Sequence, residues 1–457
     1  MMTSRRDFLK DTLKGSAGLA IGSIGFSAAS YGRIMGANDR INVAVIGIRG
    51  QGQTHINSWC RLKDTRNVLL KTICDTDENV WPASVKAITD KCGAKPATEW
   101  DMRKVFDDKD IHAVSFATPN YWHALGTIWG CQAGKHVYVE KPASHNVFEG
   151  RKMIDAARKY KVRVQVGLQN RSIPNVQQAI KFLHEGGIGD VYLSRGLCFK
   201  PRDSFGIAND SEPPQGFHYD TWLGPAAWRK YNEKKGHYNW HWHWDTGNGD
   251  TGNQGPHQFD IARWGLNKNE HPAIIYSSGG LYGINPKECS QETPNTQTSI
   301  FKYNDGKTLE FETRGRYTNG EGVLDIQIGN LFYGTEGRLE IDGSTWKAFR
   351  KNEKEAFAGS PDPKKAEGER DVMAAPGGSN HYGNFIDAIR SGKDEDLTCH
   401  ITEGFLSSAL PLLANISYRT GRQLKFDASS EKFVNDKDAD AMLTRNYRKP
   451  YVVPEQV

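Results

Sequence analysis

The sequence predicts an α/β protein with two parts: an N-terminal doubly wound parallel sheet, then an α+β domain on a large, mostly antiparallel open sheet. Three observations predict it. From Ile41 to Leu168, short β-branched runs alternate with helix-length segments, the order that builds parallel sheets. From Asp190 to Asp342, strand-like segments follow one another instead, and several alternate apolar and polar residues, as antiparallel strands with one covered face do. The chain of 457 residues is also too long for one compact core.

The first thirty residues read as an address. Ser4-Arg5-Arg6-Asp7-Phe8-Leu9-Lys10 matches the twin-arginine signal pattern, and an apolar, small-residue run follows from Gly15 to Ala29. That run is too short and too rich in Gly and Ser to span a bilayer, so a signal peptide cleaved among Ser27–Ser30 is expected, with no stable membrane anchor. The twin-arginine route exports folded proteins, which places this one in the periplasm. Net charge is +5, of which the leader supplies +2. The rest is nearly neutral, with no dense basic run, so nucleic acid is not an expected partner. Seven cysteines form no CxxC pair and their number is odd. Neither a disulfide framework nor a zinc ribbon is indicated, and isolated buried thiols are expected.

Residues 38–168 read as a Rossmann domain. Ile41–Gly47 is a β-branched run ending at glycine, followed by Ile48-Arg49-Gly50-Gln51-Gly52 and a helix-compatible segment. Against G-x-G-x-x-G, Gly47 and Gly52 occupy the first and third glycine positions. Arg49 stands at the second, with Gly50 beside it. Glycine lets backbone approach a pyrophosphate seated on a helix N-terminus, and Arg49 offers the same phosphates a cation. A second strand, Leu69–Cys74, ends at Asp75, near the offset of about 20 residues for a carboxylate that accepts from a ribose hydroxyl. An acidic group there repels a 2′-phosphate and favours NAD over NADP. A third strand, Ala113–Ala117, runs into Thr118-Pro119-Asn120-Tyr121-Trp122-His123, a loop at a strand's carboxyl end where such sheets place ligands. A fourth, His136–Val139, ends in Glu140-Lys141-Pro142. The helix Asn146–Tyr160 and the strand Val162–Leu168 complete the domain.

Residues 169–427 form the second domain, and 428–457 a charged tail expected to wrap the surface. Gln169 and Arg171, at the junction, are candidate substrate contacts. A helix over Asn175–His184 stops at Gly186-Gly187. Strands are expected at Asp190–Cys198, Ala273–Gly279, Thr296–Tyr303, Lys307–Thr313, Leu324–Tyr333 and Gly337–Asp342. Lys200–Asp250 is a long aromatic, polar insertion. Within His237–Trp244, Tyr238, Trp240, Trp242 and Trp244 fall on even positions and His237, His241 and His243 on odd ones. As a strand, this stretch offers a sugar one stacking face and one hydrogen-bonding face. His241-x-His243 also has metal-ligand spacing, but no third ligand is fixed nearby and no metal is assigned. Next, Asn253, His257 and Asp260 are spaced four and three apart, so a helix beginning near Gln254 carries them on one face, with Pro256 in its first turn. Ser344–Ser379 reads as a surface loop, and His381–Ile389 and Thr402–Arg419 as helices.

Together the Rossmann start, the Thr-Pro-x-x-x-His loop, Glu-Lys-Pro after the next strand and the Gly-x-His helix resemble the glucose–fructose oxidoreductase / inositol dehydrogenase / MocA family. The resemblance covers essentially everything after the leader, and Glu-Lys-Pro is its most specific motif. It implies a tightly bound NAD, with Lys141 beside the nicotinamide and the substrate hydroxyl. It implies His257 as the group that moves the proton, and Asn253 where many relatives carry Asp. Alcohol oxidation needs such a set: a base for the hydroxyl proton and a cation for the developing alkoxide. Asn253 orients His257 without stabilising its charged form, a gap that Asp260, Asp245 or Asp250 would have to fill. The resemblance further implies a homo-oligomer through the second sheet. The expected function is a periplasmic NAD-dependent oxidoreductase acting on a hydroxyl or keto group of a sugar or glycoside. An alternative is an NAD-dependent redox glycosidase, which oxidises C3 transiently, eliminates the aglycone and reduces again. A non-catalytic carbohydrate-binding relative ranks below both.

Overall fold

The structure is a computed structural model that describes residues 39–343, 345–360 and 376–457. The twin-arginine leader lies outside the described residues.

Six parallel strands form the first sheet: β1 (Ile41–Ile46), β2 (Val68–Cys74), β3 (Ala97–Glu99), β4 (Ala113–Phe116), β5 (His136–Glu140) and β6 (Val164–Gly167). Their order is β3-β2-β1-β4-β5-β6, the doubly wound arrangement whose ligand crevice lies where the order reverses, between β1 and β4. Val43, Ala44, Val45 and Val114 are fully buried because helices cover both faces. The short β3 and the helix Met102–Asp107 carry too few residues to show a period in the sequence.

The second sheet has ten strands. In chain order they are β7 (Val191–Cys198), β8 (Ile274–Gly280), β9 (Thr296–Lys302), β10 (Thr308–Arg314), β11 (Ile328–Gly334), β12 (Gly337–Ile341), β13 (Trp346–Arg350), β14 (Ala356–Gly359), β15 (Leu424–Asp427) and β16 (Lys432–Phe433). The sheet runs β14-β13-β12-β11-β7-β10-β9-β8-β15-β16. All neighbours are antiparallel except β7 and β10. The helices Gly255–Gly265 and Ile401–Thr420 cover its inner face. Phe259 stacks on Phe311 at 4.1 Å between ring centres, and the Asn330 side chain donates to the Gln258 carbonyl at 2.8 Å.

Four expectations are corrected. The Ser344–Ser379 segment is not wholly loop, because Trp346, Ala348 and Phe349 are buried in β13 and the helix Pro376–Ser391 begins inside it. That helix returns to the first sheet, where Tyr382 stacks on Tyr138 at 4.6 Å. The tail does more than wrap the surface. Leu443, Tyr451 and Val453 are buried, and Tyr451 meets Trp122 edge-on at 5.3 Å. His237–Trp242 winds into a 3-10 helix rather than a strand, with a local bond between the His241 ring and the Tyr238 carbonyl (2.6 Å), and among the described residues no strand pairs with it. The cysteines are not all isolated: Cys60 and Cys92, at the ends of two adjacent helices with Cα atoms 5.8 Å apart, form a disulfide. Cys74, Cys131, Cys198, Cys289 and Cys399 are buried thiols.

Candidate active site

A cleft of about 690 Å³ opens at the carboxyl ends of β1, β2, β4 and β5 and reaches the start of the Gly255–Gly265 helix. Its lining includes Gly47, Arg49, Gly50, Asp75, Thr118, Pro119, His123, Glu140, Lys141, Gln169, Trp240, Asn253 and His257 from the sequence-predicted set.

The dinucleotide end is shaped by glycines. Gly47 has φ +82°, and a Cβ there would lie 2.8 Å from the Ala117 backbone; one on Gly52 would lie 2.1 Å from the Gly47 carbonyl oxygen. Gly50 differs: with φ +42°, its added Cβ meets nothing within 4 Å. It faces open space at the start of the Gln51–Arg61 helix, whose N-terminus no side chain caps. A pyrophosphate fits there, at the positive end of the helix dipole. Gly50 therefore supplies the close approach expected of the second glycine. Arg49 turns its guanidinium to Asp77 (3.2 Å). Asp75 accepts from the backbone N–H groups of Ile48 (2.8 Å) and Asp77 (3.0 Å), and burial pushes its carboxyl up to about 6. A ribose hydroxyl donating to it would restore solvation. These features fit NAD.

The insertion covers this end, which the sequence did not reveal. Glu78 N–H donates to the Gly216 carbonyl (2.9 Å) and His218 N–H to the Thr76 carbonyl (2.8 Å). The His218 ring stacks on Trp100 at 4.2 Å and bonds Glu78 at 2.7 Å.

At the reaction end, Glu140 is buried beneath Lys141. Its carboxylate accepts from Gln169 (2.8 Å) and Gln51 (3.2 Å) and bonds His55 (3.1 Å), which also meets Ser115 (2.7 Å). Burial alone would raise its pKa, but the His55 bond and the nearby positive charges hold it at about 2. Lys141 donates from Nζ to the Asn253 carbonyl oxygen at 2.9 Å, so the two halves of the site meet at this lysine. Burial lowers the Lys141 pKa, Glu140 opposes the fall and Lys200 adds to it. The His257 pKa falls to about 4, by burial first and then by Lys141. Its Nδ1 is buried and has no hydrogen-bond partner among the described residues. The Asn253 amide lies 3.4 Å from both the Tyr238 hydroxyl and Asp250. Among the described residues no carboxylate hydrogen-bonds the His257 ring. Asp250 is held by Arg202 in two bonds (2.8 and 2.9 Å), Asp260 by Arg171, and Asp245 by Arg445. His123 ties the two loops, its ring lying 2.8 Å from the Pro142 carbonyl and 3.0 Å from that of Thr118. Burial lowers its pKa to about 4, and a neutral ring donates to one of the two.

Six predicted contacts lie off the cleft lining, Gly52 among them because it packs on the Gly47 carbonyl. Arg171 and Asp260 form a buried bidentate pair, joined by Glu403 and Ser407. Trp242 is buried beside the Arg202 guanidinium (5.1 Å). Trp244 lines a separate cavity of about 400 Å³. Asn120 donates to Asn248 at 2.6 Å. His241 and His243 do not share a face: His241 stacks on Trp240 at 3.6 Å and lines the cleft, whereas His243 is buried against Glu292. Among the described residues no group of three His, Cys, Asp or Glu is placed to hold a metal ion. Lys200, Tyr238 and His241 line the cleft although the sequence did not single them out individually as site residues.

A Rossmann sheet with a glycine-lined groove, joined to a large, mostly antiparallel sheet, defines a two-domain dinucleotide-dependent oxidoreductase fold. The chain belongs to the glucose–fructose oxidoreductase / inositol dehydrogenase / MocA oxidoreductase family: its NAD-binding Rossmann profile matches residues 41–168, and its C-terminal alpha/beta profile residues 206–337 and 347–453. A levoglucosan dehydrogenase of Pseudarthrobacter phenanthrenivorans is 40% identical over 96 residues, 21% of this chain and 25% of that protein. A glycosyl hydrolase family 109 protein of Shewanella pealeana is 30% identical over 173 residues, 34% of this chain and 37% of that protein. The matches thus span a quarter to just over a third of these relatives. An aldose-aldose oxidoreductase of Caulobacter crescentus, complexed with glycerol, shares the fold with TM-score 0.62 and 17% identity, covering 85% of this chain and all of that one. Levoglucosan dehydrogenase with NADH and levoglucosan shares it with TM-score 0.63 and 18% identity, over 85% and 100%.

Proposed function

We propose that this protein is a periplasmic NAD-dependent oxidoreductase acting on a hydroxyl or keto group of a sugar or glycoside. The observation that carries the reading is that Lys141 and His257 line one cleft at the end of a dinucleotide groove. Gly47, Gly50, Gly52 and Asp75 would hold NAD, with residues 38–168 as its domain and 169–427 as the substrate and oligomer-forming domain. NAD held there would supply the hydride-accepting chemistry. The chain's own groups handle the proton. His257, neutral above pH about 4, takes it from the hydroxyl, and Lys141 donates to the developing alkoxide. Glu140 fixes Lys141 from below, and Trp240 offers the sugar a flat face. The Cys60–Cys92 disulfide supports an oxidising compartment, as the twin-arginine leader does. The family 109 relatives favour a second reading, a redox cycle that releases the aglycone and returns the hydride.

The test is a spectrum of the holoprotein in the NADH absorbance band before and after a panel of glycosides, with product masses from the same tubes. A rise in NADH with a product two hydrogens lighter supports the dehydrogenase. Aglycone release without lasting NADH supports the glycosidase. Equal turnover by Lys141→Ala would sink both.

A further inference from the structure

At the end of β7 the chain delivers two cations to the substrate side of the cleft. Arg202 is neutralised: its guanidinium is held by Asp250 in two bonds and lies over Trp242. Lys200 is not. It is half-buried and lines the cleft, yet has no hydrogen bond or ion pair among the described residues. Two carboxylates of the same cleft hydrogen-bond other groups rather than Lys200. Glu140 bonds His55 and Gln169 beneath Lys141, and the Asp342 carboxylate accepts from Thr345 N–H at 2.8 Å. Lys141 is a second cation in the same space, its ammonium donating to a neutral carbonyl. A partly desolvated ammonium without a counter-ion is unfavourable, and a second ammonium nearby makes it more so. An anion brought in by the substrate offsets both.

We propose that the substrate of this cleft is an anionic sugar, bearing a carboxylate or sulfate away from the reacting carbon, and that Lys200 receives that group. The inference rests on the sugar-oxidising reading and adds the substrate's charge to it. Uronic acids and sulfated sugars share the chemistry, an oxyanion on a pyranose, and neutral glycosides lack it. His241 and His257 add no charge at neutral pH, because burial lowers their pKa values to about 3 and about 4.

Methyl glucoside, methyl glucuronide and glucose 6-sulfate are compared on the holoprotein, by equilibrium binding and by kcat/KM. The expected result is at least tenfold tighter binding of an acidic sugar, carried by KM, weakening as salt rises. Preference for the glucuronide or for the sulfate separates the two sources. In Lys200→Met the acidic-to-neutral ratio falls at least tenfold, and Lys200→Arg restores it. Bound NAD content and near-UV dichroism report whether each variant is folded. Equal or better binding of the neutral glycoside, no binding of either acidic sugar, or an unchanged ratio in Lys200→Met would overturn the inference. Selective binding of an acidic sugar without hydride transfer would keep it and refute the oxidoreductase reading.

Discussion

His257, to which we assign the proton transfer, has no carboxylate hydrogen-bonded to its Nδ1 among the described residues. Where a relative's Asp would support the imidazolium, Asn253 presents an amide, and Asp250 and Asp260 are spent on Arg202 and Arg171. Burial disfavours the charged ring and sets its pKa at about 4. The active, neutral form therefore persists far below the ordinary histidine value. The acid limb of kcat/KM should fall near pH 4 rather than 6.5, and His257→Asn should abolish that limb while lowering kcat by about 10²–10⁴-fold. A limb at pH 6–7 would show that a charged partner reaches the ring. Much of this was legible, because Glu-Lys-Pro and the Asn253–His257 spacing are local patterns. The fate of Asp260 was not. Its partner Arg171 is 89 residues away, and the helical spacing that grouped it with His257 says nothing of which neighbour it meets.

Single interactions bind whole elements here. The Arg171–Asp260 pair, with Glu403 and Ser407, ties the turn after β6 to the helices Gly255–Gly265 and Ile401–Thr420. Removing one partner leaves an uncompensated buried charge, so Asp260→Asn should lower stability by about 3–5 kcal/mol, read as a shifted denaturation midpoint. Unchanged stability would mean that Glu403 takes up Arg171. The insertion acts on the first sheet similarly, through Trp100 and His218. Trp100→Ala removes that stacked pair from the wall of the dinucleotide groove, and dissociation of bound NAD should quicken about tenfold. A stopped-flow chase with excess NAD measures it. The insertion was visible in sequence as an aromatic-rich segment. Its alternating Trp and His suggested a strand, because a period of two is a strand signature only where a neighbouring strand exists to pair with.

Across the molecule, buried histidines dominate the acid response. His123, His136, His257 and His381 have pKa values lowered to about 4, and His241 to about 3, with burial the leading cause for all five. Each stays neutral in the fold but takes up a proton when unfolded below about pH 6.5, so stability falls as pH drops from 6.5 towards 4. Asp75 and Glu149, raised to about 6 and about 7, act oppositely: their contribution is present at low pH and lost as pH rises through those values. Five groups against two predict a net decline on acidification, seen as a falling melting temperature between pH 6.5 and 4; a flat profile would refute it. The fold class was readable because the switch from alternating strands and helices to successive strands is a feature of chain order. The closure of the Cys60–Cys92 link, 32 residues apart, depends on how two helices lie side by side, which no spacing announces.

The covering of the dinucleotide groove has a consequence in time. A ribosome releases the groove-forming strands first, ending at Gly167, and delivers Gly216 and His218 only later. The growing chain meets the cytoplasm's dinucleotide pool with an open groove, and the finished chain holds a roofed one. If the protein is exported as we propose, it meets no such pool outside, and a roof that comes late in synthesis would make a cofactor gathered at birth a lifetime supply.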